Sequence, residues 1–143
     1  MQKYKILHDL SWADIAFEAY GKNYDELFNN AAEATFAQMV DLKTVKPKVK
    51  KNITLSLETI QGLLFDFLSE LVYLKDTFYI VFSKFDTKIK ESKGKFELKA
   101  TISGEEINPK RHKLGVDVKA ITMHHFNIEK TKEGYKATVI LDV

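Results

Sequence analysis

The sequence predicts a single α+β domain, in which a mainly antiparallel β-sheet carries two amphipathic helices packed on one face. Three observations lead to this fold class. Two segments repeat apolar residues every three or four positions, which is helical spacing. Four later segments are rich in β-branched and aromatic residues, and short turn sequences join the first to the second and the third to the fourth. The chain has 143 residues, enough for one hydrophobic core, so residues 1–143 are expected to form one domain.

The composition excludes several classes of protein. Hydrophobic residues make up 45% of the chain, which is typical of a globular domain and not of a disordered one. The net charge of +2 does not by itself indicate a nucleic-acid-binding protein. The absence of cysteine rules out disulfides, a thiolate nucleophile and a zinc site with sulfur ligands. No apolar run is long enough for a membrane span, and Met1–Lys5 lacks the core of a signal peptide, so no membrane is expected as a partner and the cytoplasm is the expected location.

The N-terminal third predicts two strands and a helix. Tyr4–Leu10 and Asp14–Tyr20 are expected to be strands, the second because apolar residues alternate along it. Asn23 is the predicted N-cap of the first helix, because Glu26 stands three residues later, where its side chain reaches back to the cap. The helical spacing of apolar residues continues to about Asp41.

A basic connector and a second helix follow. Lys43–Lys51 is rich in lysine, and Pro47 within it excludes continuation of the first helix. One interpretation is that these lysines neutralise RNA phosphates. A solvated linker between a helix and a strand is the favoured interpretation. Ile53–Leu57 alternates as a strand. Ile60–Val72 repeats apolar residues at three and four positions, which predicts a helix of about four turns.

The C-terminal half of the chain is rich in strand-forming residues. Four strands are predicted, at Phe78–Lys90, Lys95–Ser103, Val116–Glu129 and Tyr135–Val143. The turn sequences at 93–94 and 132–134 predict two antiparallel hairpins. The longest irregular connection, Glu105–Gly115, is expected to be a functional surface.

The strongest candidate site consists of two acids that are distant in the sequence. Asp14 begins a predicted strand, and Asp142 stands at the exit of the last strand. We expect the fold to bring them together and a divalent cation to bridge them, because hard cations prefer carboxylate oxygens. Val143 would add its own carboxylate, and neighbouring negative charges are costly without a cation. From the residues alone, solvated acids at a strand edge are the more common alternative.

Other candidate residues carry weaker signals. His124 and His125 are adjacent in a predicted strand, so they are expected to point to opposite faces and not to share a metal ion. Lys119 is predicted to lie in the same strand and to face the side opposite to His124, unless a bulge intervenes. The sequence contains no phosphate-binding loop, dinucleotide-binding glycine motif, zinc-protease motif or serine-hydrolase motif. These strong generic signatures of catalysis are therefore missing, and a free-standing metal hydrolase stays a minor alternative because no general base is evident.

Several stretches of the chain together resemble the archease family. They are Ala13–Ile15, Ala19–Gly21, Asn30–Ala32, Met39–Asp41, Leu63–Leu64, Phe67–Leu74, Val118–His124 and Val139–Val143. The resemblance spans nearly the whole chain and rests on the order and spacing of these stretches. It implies the archease fold.

The resemblance also implies a function. Archeases are non-enzymatic activators of the RtcB-type RNA ligase of tRNA splicing. They promote guanylylation of the ligase, permit multiple turnover and broaden its nucleotide specificity, and they reach tRNA indirectly, through the ligase. Carried over residue by residue, the metal ligands of the family are Asp14 and Asp142, with Val143 as a further candidate. Lys119, in the Lys-Ala-x-Thr motif, is the next functional candidate. The implied cofactor is a divalent metal ion. Ca²⁺ is the ion expected at the site, and Mg²⁺ or Mn²⁺ are the alternatives.

One departure from the family pattern affects the candidate site. The family usually has a continuous His-Thr-Ala-Asp run, whereas here Leu10–Trp12 separates His8 and Asp9 from the Ala-Asp dipeptide. The role of His8 is therefore open, and Asp9 is a candidate for a substitute or additional ligand. The alternative function is an RNA-binding or chaperone-like specificity factor for a tRNA-processing or tRNA-modifying enzyme, which Lys43–Lys51 motivates.

Overall fold

The computed structural model describes residues 2–7 and 14–143. Within these residues the elements are β1 (Tyr4–Leu7), β2 (Asp14–Gly21), α1 (Tyr24–Ala37), β3 (Val49–Leu57), α2 (Ile60–Phe78), β4 (Ile80–Ser92), β5 (Lys95–Glu106), β6 (Ala120–Lys130) and β7 (Tyr135–Asp142). A short 3₁₀ turn at Leu42–Thr44 precedes β3. The prediction of an antiparallel α+β fold with two helices is confirmed, although the strands divide between two sheets instead of forming one.

All strand pairings within the two sheets of the described chain are antiparallel. One sheet has four strands in the order β1-β2-β7-β6, and the other has three in the order β3-β5-β4. The predicted hairpins join β4 to β5 and β6 to β7. Lys93 and Gly94 between β4 and β5 have φ angles of 53° and 75°, the left-handed pair that a tight hairpin turn requires. Because β7 inserts between β2 and β6, residues from the two ends of the chain become neighbours.

The hydrophobic core lies where the helices meet both sheets, because each helix contacts strands of both. Phe28 of α1 stacks on Phe67 of α2, with ring centroids 5.9 Å apart. Phe36 of α1 meets Phe82 of β4 edge to face, at 5.5 Å. These buried rings hold the helices against each other and against the three-stranded sheet. In the described part of the chain, neither helix is long and apolar enough to cross a membrane.

Both helices begin at a capping side chain. The Asn23 side-chain oxygen accepts a hydrogen bond from the Glu26 N–H at 2.9 Å, which confirms the predicted N-cap of α1. The Thr59 hydroxyl caps α2 in the same way. Helix α2 continues past Val72, the last residue of the predicted periodic segment. It ends where Tyr79 adopts the left-handed conformation, with φ of 56°.

Helix α1 ends earlier than its apolar spacing predicts. It ends at Ala37 and not near Asp41, because the residues that follow pair with a distant loop. The Gly115 N–H donates to the Met39 carbonyl at 2.7 Å, and the Asp41 N–H donates to the Lys113 carbonyl at 2.8 Å. Met39 is buried, so the apolar pattern continues although the helix does not.

Two other predicted segments differ at one end from the elements that the structure describes. Strand β3 begins at Val49, so the last part of the predicted Lys43–Lys51 connector belongs to a strand. The first predicted strand, Tyr4–Leu10, is described only to Leu7, where β1 ends. Its remaining residues lie outside the described residues.

Candidate metal centre

The register of the four-stranded sheet places Asp14 directly opposite Asp142. Asp14 is the first residue of β2 and Asp142 is the last of β7, and the antiparallel ladder pairs them. On its other side Asp142 pairs with Ala120, the first residue of β6. Residues directly opposite on neighbouring strands point to the same face, with Cβ atoms about 5 Å apart. Both acids are half-buried. We call these two residues the acidic pair.

The surroundings of the acidic pair suit a hard cation. Like charges directly opposite each other destabilise a sheet unless something offsets them. Within residues 2–7 and 14–143, no lysine, arginine or histidine forms an ion pair with Asp14 or Asp142. The same residues contain no group of three or more His, Asp or Glu side chains arranged for a metal. A cation at the acidic pair would therefore need main-chain or solvent oxygens in addition to the two carboxylates, with Val143 next along the chain, and oxygen donors suit Ca²⁺ or Mg²⁺ better than zinc.

Lys119 adjoins the acidic pair through its main chain. Its N–H donates to the Asp142 carbonyl at 2.8 Å. Its exposed side chain lines a surface depression of about 230 Å³, together with Tyr73 and Asp76 of α2. The prediction that Lys119 lies within a strand is wrong by one residue, because β6 begins at Ala120.

Lys75 is a buried lysine that the sequence analysis missed. Only 4% of it is exposed, and its Nζ lies 2.6 Å from the Asp117 carboxylate and 2.8 Å from that of Asp76. The same ammonium group donates to the Val118 carbonyl at 2.8 Å. These bonds fasten the segment just before Lys119 to helix α2. We call this arrangement the Lys75 clamp.

The Lys75 clamp lies at a strand boundary that was predicted wrongly. Strand β6 was expected from Val116 but begins at Ala120. The Lys75 ammonium group holds the Val118 carbonyl, and with it the segment before Ala120, against helix α2. A signal for the clamp was present, since Lys75 follows Leu71 by four residues and therefore falls on the buried face of the helix.

His124 and His125 lie side by side, which corrects the prediction that they point to opposite faces. The pairing of β6 with β7 shifts register between Thr122 and Asn127, and His125 has φ of 56°. The ring centroids are 4.1 Å apart, and both residues are exposed. Strict alternation of faces holds only in a regular strand, and this strand is bulged.

The end of β5 carries a carboxylate in a very different setting. Glu105 is buried, and its Oε1 contacts the Arg111 guanidinium and lies 2.6 Å from His112 Nε2. The Lys46 N–H donates to the same oxygen at 3.0 Å. Arg111 first, then His112 and the Lys46 amide, hold the pKa of Glu105 at about 2, below its usual 4.5.

The tautomer of His112 follows from its other ring nitrogen. His112 Nδ1 accepts a hydrogen bond from the Asn108 N–H at 2.9 Å. Assigned from these bonds, the neutral ring carries its proton on Nε2 and donates it to Glu105. This network ties the loop after β5 to the sheet. The predictions for His8 and Asp9 lie outside the described residues.

The comparison with protein families agrees with the resemblance seen in the sequence. The archease protein family matches residues 4–143. The chain belongs to the archease family. An archease from Methanosarcina mazei is 38% identical over 99% of this chain and 97% of that protein. An archease from Methanothermobacter thermautotrophicus is 40% identical over 92% of this chain and 93% of that protein.

Two solved structures of similar proteins have the same fold as this chain. The solution structure of a protein from Methanobacterium thermoautotrophicum has a TM-score of 0.88 and 38% identity, and the match covers 100% of both chains. The crystal structure of an archease from Thermotoga maritima, called a possible chaperone, has a TM-score of 0.61 and 20% identity over 92% of this chain and 91% of that one. The second match shows the fold alone. The predicted archease family and fold are confirmed.

Proposed function

We propose that this protein is a non-enzymatic activator of an RtcB-type tRNA-splicing RNA ligase in the cytoplasm. It would promote guanylylation of the ligase, permit multiple turnover and broaden the nucleotide specificity. Membership of the archease family supports this proposal, through the function that the sequence resemblance implies. The single observation that carries it to particular residues is the cross-strand pairing of Asp14 with Asp142.

The acidic pair is the proposed metal site. Asp14 and Asp142 would hold a divalent cation with their carboxylates, and Val143 would contribute main-chain oxygens. Ca²⁺ is the first candidate, with Mg²⁺ and Mn²⁺ as alternatives. A bound cation supplies positive charge that clamps phosphate oxygens during nucleotidyl transfer.

The residues around the acidic pair would keep it in place. The ladder between β2 and β7 fixes the two carboxylates opposite each other. The Lys75 clamp fixes the segment that leads into β6, so the edge of the sheet beside Asp142 keeps its shape. Lys119, exposed at that edge, is the proposed contact for an anionic group of the ligase or its nucleotide.

A ligation assay with RNA in excess over ligase tests the proposal. The wild-type protein is expected to raise the number of turnovers, and Asp14→Asn and Asp142→Asn are expected to abolish that stimulation. Asp66→Asn is the matched control, because it removes one exposed carboxylate from helix α2, outside both sheets. Thermal unfolding followed by circular dichroism checks that each variant is folded. Full stimulation by both acidic-pair variants would rule the mechanism out.

The alternative function is an RNA-binding or chaperone-like specificity factor for a tRNA-processing or tRNA-modifying enzyme. The observation in its favour is that Lys43, Lys46 and Lys48 are exposed between the helix and β3. Such a factor would leave the turnover of the ligase unchanged and would alter the substrate choice of a tRNA-modifying enzyme. Parallel assays of the two enzymes therefore separate the two functions.

A further inference from the structure

Charge is divided unevenly between two parts of the chain. Residues 43–57 and 80–106, which form the connector and the three-stranded sheet, contain eleven of the 22 Lys and Arg residues but five of the 20 Asp and Glu residues. Their net charge is +6, and that of the remaining residues is −4. The overall charge of +2 therefore hides a basic part and an acidic part.

The outward side of the three-stranded sheet carries many of these lysines. Ile53, Leu98 and Ile102 point into the core, so the residues of opposite parity on the strands point outward. We call those of them that lie within residues 50–56, 84–90 and 97–101 the lysine face. Its members are Lys50, Asn52, Thr54, Ser56, Lys84, Asp86, Lys88, Lys90, Glu97, Lys99 and Thr101.

The lysine face contains an unfavourable pair of like charges. Lys88 of β4 lies directly opposite Lys99 of β5, and both are exposed. Two lysines in this arrangement repel each other and weaken the sheet. The acids on the face are Asp86, whose carboxylate is 3.9 Å from Lys88, and Glu97. The excess of positive charge remains unbalanced and is complementary to a polyanion.

We infer that the lysine face binds the backbone of double-helical RNA. Lysines neutralise phosphates with little dependence on sequence. Lys88 and Lys90 are two residues apart on one strand, which separates them by about 7 Å along it. Side chains at this interval can contact successive phosphates of one nucleic-acid strand.

The neutral residues of the face favour a duplex over a single strand. Asn52 and Thr101 lie opposite each other between the lysines, and the Thr101 hydroxyl donates to Asn52 Oδ1 at 3.1 Å. Hydroxyl and amide groups of this kind suit the 2′-hydroxyls that line the minor groove of A-form RNA. The members of the face include no aromatic side chain on which an unpaired base would stack.

This inference does not depend on the proposed function of the acidic pair. The lysine face belongs to the three-stranded sheet and the acidic pair to the four-stranded one. RNA binding is measured with the isolated protein, whereas activation needs the ligase. Failure of either proposal is therefore visible without the other.

Fluorescence anisotropy with an RNA duplex of about 16 base pairs tests the inference, over about 50 to 200 mM salt. The test variant carries Lys84→Gln, Lys88→Gln and Lys99→Gln. The matched control carries Lys22→Gln, Lys110→Gln and Lys132→Gln, three exposed lysines outside the face with the same total change in charge.

The test variant is expected to bind the duplex at least tenfold more weakly at low salt. Its salt dependence should also be shallower by about 3 in the logarithmic slope. The control should bind like the wild type, and a DNA duplex of the same sequence should bind more weakly than RNA. Glutamine keeps the length of the side chain and removes the Lys88–Lys99 repulsion, so the variant should remain folded.

Four results would overturn the inference. One is the absence of wild-type binding at about 50 mM salt. Another is equal weakening by the test and control variants, which would indicate diffuse charge attraction. Equal binding of RNA and DNA would remove the assignment to RNA. Unchanged RNA binding together with lost binding to the ligase would assign the face to an acidic protein surface.

Discussion

Glu105 and the acidic pair place carboxylates in opposite circumstances. Glu105 is buried, and the chain itself supplies its partners through Arg111, His112 and the Lys46 amide. Asp14 and Asp142 face each other at half-buried strand ends, and no basic side chain of the described residues forms an ion pair with them.

The difference distinguishes a structural carboxylate from a candidate binding site. A carboxylate whose hydrogen bonds are supplied within the fold stabilises that fold, and its removal exposes its partners. Carboxylates that repel each other lower stability until an external charge offsets the repulsion. The two sites should therefore respond in opposite directions when a negative charge is removed.

Glu105→Gln is expected to cause the largest loss of stability among the single carboxylate-to-amide substitutions in the described chain. The amide carries no negative charge, so it cannot offset the charge of Arg111 in this buried network. Urea unfolding followed by circular dichroism measures the effect. A midpoint equal to that of the wild type would show that the buried network is dispensable.

The pH dependence of unfolding should follow the same carboxylate. The pKa of Glu105 is about 2 in the folded protein, whereas the usual pKa of a glutamate is 4.5. Its stabilising contribution is therefore fully present above about pH 4.5. That contribution is lost as the pH falls towards about 2. Urea midpoints of the wild type and Glu105→Gln should differ most above this window and converge within it. A constant difference across the window would contradict the assignment.

Lys75→Met is expected to lower the free energy of unfolding by about 1–3 kcal/mol, because it leaves the Val118 carbonyl without its donor. Asp117 is largely exposed and remains solvated after the change. The same variant should loosen the segment before Lys119, which amide hydrogen exchange measures. Unaltered exchange in residues 117–120 would show that the clamp does not hold this edge.

Asp142→Asn is expected to produce the smallest effect, and one of opposite sign. In a metal-free buffer it should raise the free energy of unfolding by about 0.2–1 kcal/mol, because it removes the repulsion with Asp14. Addition of Ca²⁺ should stabilise the wild type and leave the variant unchanged. Thermal melts with and without Ca²⁺ measure both effects, and destabilisation of the variant in chelator would contradict the account of the pair.

Local features of the fold were predictable from short stretches of sequence. The Asn23 cap needs only Glu26 three residues later, and the hairpin at Lys93–Gly94 needs only residues that tolerate positive φ. The strand-end positions of Asp14 and Asp142 follow from the alternation of apolar residues that begins after Asp14 and ends before Asp142. These features depend on backbone preferences within a few residues.

The features that escaped prediction depend on contacts between distant segments. Helix α1 ends where it does because Gly115 binds the main chain after it. The bulge at His125 depends on how β6 meets β7, and the Glu105 network joins residues of two separate loops. The meeting of Asp14 with Asp142 was expected, but the register that places them directly opposite each other is one that no local pattern specifies.

A calorimetric titration of the metal-free protein with Ca²⁺ tests the acidic pair most directly. The expected result is one bound cation per chain, with binding lost in Asp14→Asn and in Asp142→Asn and retained in the Asp66→Asn control. Unchanged binding in both acidic-pair variants, or no binding of Ca²⁺, Mg²⁺ or Mn²⁺ by the wild type, would contradict the metal site.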